Sequence, residues 1–75
     1  MNLREYDVVR LRRPLRDRSI PVGTIGAVVM VYEGGRAYEV EFCDERGATI
    51  ALMTLEESDL EKVPPDSGAR PLGRE

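Results

Sequence analysis

The sequence predicts an all-β domain of five short strands that closes into a small barrel, and three observations carry the prediction. Its apolar residues fall in short β-branched runs separated by Gly, Pro and Asp turns; the longest purely apolar run, Ala27 to Val31, is five residues, too short for a stable helix. Tyr38-Glu39-Val40-Glu41-Phe42 alternates apolar and acidic side chains with the period of a half-buried strand. The chain has 75 residues, so a flat sheet built from it would expose one apolar face and two edges, and closure removes most of both problems. One domain is expected at 1–63, with 5–63 as its folded unit, followed by a flexible tail at 64–75.

Asp7-Val8-Val9-Arg10-Leu11 reads as the first strand, and the polar, Pro-containing stretch Arg12 to Pro21 as a long loop after it. Gly23-Thr24-Ile25-Gly26 then leads into Ala27-Val28-Val29-Met30-Val31-Tyr32, the central strand. Gly34-Gly35 separates it from the alternating strand Ala37 to Phe42, which makes the pair a hairpin.

Register follows from the turn. A two-residue loop at Gly34-Gly35 uses the positive φ that glycine supplies, and it sets Glu33 opposite Arg36, Val31 opposite Tyr38, Val29 opposite Val40 and Ala27 opposite Phe42. The last three pairs are then buried, and Val28, Met30 and Tyr32 face outward beside Glu39 and Glu41. A three-residue loop with a bulge shifts the register by one and buries Val28 and Met30 instead. Glu39 and Glu41 point outward in both registers.

Asp44-Glu45-Arg46-Gly47 is turn-forming, and Thr49 to Thr54 is a fourth strand. Leu55 to Leu60 suits one tight helical turn, which feeds a short last strand at Glu61-Lys62-Val63. A long loop after the first strand, a central hairpin and a helical turn before the fifth strand point to an SH3-like barrel. The tail from Pro64 onward has only Ala69 and Leu72 to bury, which makes it flexible.

Composition limits the chemistry. The chain has no His and one Cys, so it lacks the commonest general base, the usual metal ligands and any disulfide. No enzyme and no cofactor are expected. Cys43, followed by Asp44 and Glu45, reads as a small hydrophobe rather than an activated thiol. The N-terminus has neither the apolar stretch nor the cleavage site of a signal peptide, which places the protein in the cytoplasm and away from the membrane.

Charge is uneven along the chain. Residues 1–20 carry six arginines against three carboxylates, +3, whereas residues 21–63 carry three basic groups against nine acidic ones, −6. Arg10, Arg12, Arg13, Arg16 and Arg18 are candidates for contact with anions or nucleic acid, because guanidinium groups bind phosphate bidentately. They could equally pair with the domain's own acids. Glu39, Glu41, Asp44 and Glu45 lack the preformed oxygen-rich loop of a hard-cation site and read as a solvated acidic face. Gly23-x-x-Gly26 is not a phosphate loop, since no Lys-Ser/Thr and no helix follow it. The outward stripe Val28, Met30 and Tyr32 beside Glu39 and Glu41 is the candidate protein-contact surface, with a homodimer as one form of partner.

Tyr6-Asp7-Val8-Val9, Gly23 to Tyr32, Ala37 to Phe42, Thr49-Ile50-Ala51-Leu52 and the closing Leu60 together resemble a bacterial family of short proteins of unknown function. The resemblance covers about residues 5–63. It implies a compact SH3-like barrel without catalytic residues, acting as a stand-alone partner of another small protein in the manner of a toxin and antitoxin pair, with the partner encoded nearby. Asp7 to Leu11 followed by Gly23 to Val28 is also similar to the KOW motif of transcription and ribosomal proteins, which implies nucleic-acid binding. Acidic residues stand where RNA-binding members carry basic ones. A protein-interaction module is therefore the expected function, with a nucleic-acid binder using the arginine-rich loop as the alternative.

Overall fold

A computed structural model describes residues 2–16 and 18–64. It contains β1 (Val8–Leu11), β2 (Ile25–Val31), a 3₁₀ turn (Glu33–Gly35), β3 (Tyr38–Cys43), β4 (Thr49–Leu55), a second 3₁₀ turn (Glu57–Asp59) and β5 (Leu60–Lys62). All pairings are antiparallel, and the strands form one sheet in the order β4-β3-β2-β1-β5. The all-β class, the five strands and the helical turn before the last strand are as the sequence predicts. The tail expected at 64–75 lies outside the described residues from residue 65 onward.

One apolar cluster joins the sheet. Val9 and Leu11 of β1, Val28 of β2, Tyr38, Val40 and Phe42 of β3, Leu55 of β4 and Leu60 of β5 pack together, with Leu3 and Ile20 completing the cluster. Leu55 and Leu60 belong to the two edge strands, so the sheet curls far enough for its ends to share a core. Leu3 extends the folded unit two residues beyond its expected start at residue 5. Ile20 pins the middle of the long loop, whose neck is closed by Gly23 N–H donating to the Leu11 carbonyl and Leu11 N–H donating to that of Thr24. Among the described residues, no polar or charged side chain is buried.

The β2–β3 hairpin combines the two registers that the sequence allows. Nearest the turn, Val31 pairs with Tyr38 and Met30 with Glu39, as the two-residue loop predicts; Gly34 and Gly35 both have positive φ, 78° and 67°. Beyond it the register shifts, and Val28 pairs with Val40, Ala27 with Glu41 and Gly26 with Phe42. Val29 is the extra residue of a bulge. This corrects the expected placement of three residues: Val29 leaves the core, Ala27 moves from opposite Phe42 to opposite Glu41, and Val28, expected on the outward stripe, enters the core at 0% exposure. The bulge has a packing reason. Every residue from Ala27 to Val31 is apolar, so shifting by one costs no buried polar group, and it places Gly26 rather than a side chain beneath the Phe42 ring. A Cβ on Gly26 would lie 2.8 Å from that ring and 2.8 Å from the Glu41 carbonyl oxygen, closer than carbon atoms pack.

The turn before β5 is set locally by Glu56-x-x-Asp59. The Glu56 N–H donates to Asp59 Oδ2 at 3.0 Å, and the Glu56 side chain accepts from the backbone in return, the reciprocal arrangement that satisfies the free donors of a helical start.

Candidate functional site

Alternation along β3 sends Glu39 and Glu41 to the outer face of the sheet, and the ladder fixes their neighbours. Glu39 lies between Met30 and Thr54, and Glu41 between Ala27 and Leu52. Glu39 Oε1 accepts hydrogen bonds from the Thr54 hydroxyl at 2.6 Å and the Tyr32 hydroxyl at 3.1 Å. Glu41 Oε2 accepts from the Thr49 hydroxyl. Thr54 and Tyr32 thus orient Glu39 from both sides, and Thr49 orients Glu41 from β4.

Apolar side chains border this acidic rib. Met30 and Tyr32 are exposed on its β2 side, and Ile50 and Leu52 on its β4 side, Leu52 at 58%. Of the predicted stripe, Met30, Tyr32, Glu39 and Glu41 do share one face, and Val28 does not. Ile50 and Leu52 were missed. Thr49 to Leu55 is apolar on both faces, with Ala51 and Met53 packed against the core, so alternation alone could not tell which set faced out. A second register shift makes Ile50 the extra residue between the Cys43–Thr49 and Phe42–Ala51 pairs, a further irregularity that spacing does not reveal.

The arginines divide. Arg10 lies opposite Glu61 on β5, and its Nη1 is 3.4 Å from Glu61 Oε1. Arg12, Arg13, Arg16 and Arg18 are exposed, and among the described residues their side chains form no ion pair. Among the described residues, an internal match therefore accounts for Arg10 and for none of the other four. Arg18 has a φ of 56°, an uncommon conformation for a side chain of this size.

The acidic candidates have local roles. Asp44 Oδ1 accepts from the N–H groups of Arg46 at 2.8 Å and Ala48 at 3.0 Å, which makes it the organiser of the β3–β4 turn. Among the described residues, no three His, Cys, Asp or Glu side chains cluster as metal ligands would. Cys43 is half-buried opposite Thr49. Gly23 takes the bend into β2 at a φ of 96°, and Gly26 gives room to Phe42. Arg12, Glu57, Ser58, Leu60 and Glu61 line a surface depression, where Glu61 is exposed and engaged by Arg10. No helix among the described residues is long and apolar enough to cross a membrane.

A family model described as a domain of unknown function (DUF4926) matches residues 5–62. No curated protein and no solved structure matches the chain.

Proposed function

The chain belongs to the DUF4926 family, a domain of unknown function, and on that premise we propose that it is a non-enzymatic protein-interaction module. Its contact surface is the outer face of β2, β3 and β4. The observation that carries this reading is the shared face of Met30, Tyr32 and Leu52, three exposed apolar side chains around a rib of two carboxylates held by hydrogen bonds, with Ile50 exposed at the bulge near the end of β4. Apolar anchors beside ordered polar groups are what a protein interface needs, and methionine adapts its shape to a partner. The absence of histidine from the sequence and the local roles of Asp44 and Glu61 support binding rather than catalysis. A second small protein, encoded nearby and acting in the cytoplasm, fits the resemblance drawn from the sequence.

Met30→Lys and Leu52→Lys test the reading. Both substitutions lie on the outer face opposite a glutamate, so a lysine is tolerated there as a cross-strand ion pair. Each variant, checked for an unchanged circular dichroism spectrum, is compared with the native chain as bait for the neighbouring gene product. Retention by the native chain and loss by both variants supports the surface. Equal retention by all three overturns it. So does RNA binding that disappears when Arg12, Arg13, Arg16 and Arg18 become alanine.

A further inference from the structure

The long loop meets β4 at the border of the outer face, where Thr54 belongs to both that face and the groove beside it. Leu15 packs against the core, and with Arg16, Met53, Thr54 and Leu55 it lines a groove of about 360 Å³. On its other side Leu15 joins Pro14, Arg18, Ile20, Pro21 and Val22 around a dimple of about 60 Å³. The two depressions share Leu15 as a lining residue, and the strip they define on either side of it reaches from Val22, itself 53% exposed, to Met53. Arg16 lines the groove and Arg18 the dimple. Among the described residues neither guanidinium has an ion pair.

We propose that this strip is a second docking site, one that takes a short acidic segment of another protein: an apolar side chain seats against Leu15, Met53 and Leu55, and flanking carboxylates meet Arg16 and Arg18. The charge balance selects the partner's sign. The loop carries four exposed arginines with no ion pair among the described residues, and each would gain a charge-assisted hydrogen bond from a carboxylate. The lining selects its class. Neither depression has an aromatic side chain on which a nucleobase could stack, and the −6 of residues 21–63 opposes a long polyanion more than a short one. An apolar floor with two cations at its rim suits a leucine set among glutamates. None of Met30, Tyr32, Ile50 or Leu52 lines the strip, so this inference goes beyond the outer-face reading and can fail separately from it.

The probe is a blocked heptapeptide, Glu-Glu-Leu-Glu-Glu-Leu-Glu, titrated into the full chain and followed by NMR. Its glutamine counterpart and a thymidine 12-mer serve as comparisons. The expected result is a set of shifts confined to residues 14–22 and 53–55 with the acidic peptide and none with the glutamine one. Affinity should fall as salt rises. Arg16→Ala and Arg18→Ala should each weaken binding about two- to fivefold, the range for exposed charge pairs. Val22→Ser should weaken it while leaving the remaining spectrum in place. Met30→Lys should bind the peptide as the native chain does, which separates this site from the outer face. The proposal is overturned by an absence of shifts at millimolar peptide, by equal binding of the glutamine peptide, or by stronger shifts of the same residues with the oligonucleotide. Movement of those resonances with the chain's own concentration would also overturn it, by making the occupant a second copy.

Discussion

The two faces of β3 come from alternate residues of one six-residue strand, and they answer to different physics. Tyr38, Val40 and Phe42 point inward and are buried among side chains from all the other strands. Their positions are fixed by packing, where a missing or extra methylene is felt. Glu39 and Glu41 point outward, and hydrogen bonds from Tyr32, Thr49 and Thr54 fix them instead. The inner face makes the fold. The outer face is an ordered surface that the fold does not require, and this difference directs the functional reading outward.

Neighbouring residues of β2 give the sharpest contrast, because the bulge at Val29 sends Val28 inward and leaves Met30 outside. Val28→Lys should unfold the domain: it places a charge in a core with no buried polar partner among the described residues, a loss of more than about 4 kcal/mol. Met30→Lys, two residues away and opposite Glu39, should change stability by no more than about 0.5 kcal/mol. Urea unfolding of the two variants checks this. Similar losses in both would mean that β2 keeps a single register, and the division of the sheet into two faces would have to be redrawn.

Gly26 sharpens the account of the inner face. Its hydrogen stands where a methyl group would meet the Phe42 ring and the Glu41 carbonyl, so Gly26→Ala should cost about 1–3 kcal/mol as overpacking. The part of that cost owed to the ring should vanish when Phe42 is also shortened to leucine, and the part owed to the Glu41 carbonyl should remain. A double-mutant cycle in urea reads the coupling. Additive losses would show that the Glu41 carbonyl, and not the ring, demands glycine at this position.

Much of this was legible in the sequence, in proportion to how strongly each segment alternates. The β2–β3 hairpin was plain because Glu39 and Glu41 interrupt β3 at every second residue, and because Gly34-Gly35 supplies the turn. The register of β2 was not, since Val28, Val29 and Met30 are interchangeable in hydropathy and only the fit of Phe42 over Gly26 decides between them. Ile50 and Leu52 were hidden for the same reason, in a strand apolar on both faces. Leu3 and Ile20 stood outside any periodic pattern, and they are held by tertiary packing alone. The arginines of the loop were visible as charge; what the sequence left open was how many of them the domain pairs.

Arg10 supplies a small expected effect and the most direct check on that last point. Among the described residues it is the one arginine of the cluster that faces a carboxylate across the sheet, 3.4 Å from Glu61, and both side chains are well exposed. Solvent and salt screen such a pair, so Arg10→Ala should cost no more than about 1 kcal/mol. Arg16→Ala and Arg18→Ala, with no ion pair to lose among the described residues, should cost less still. Thermal melts at low and high salt separate the cases: the Arg10 loss should shrink with added salt, and the other two should not respond. A salt-dependent loss on removing Arg16 or Arg18 would show those guanidinium groups engaged by the domain itself. The groove beside β4 would then have no free charge to offer a partner.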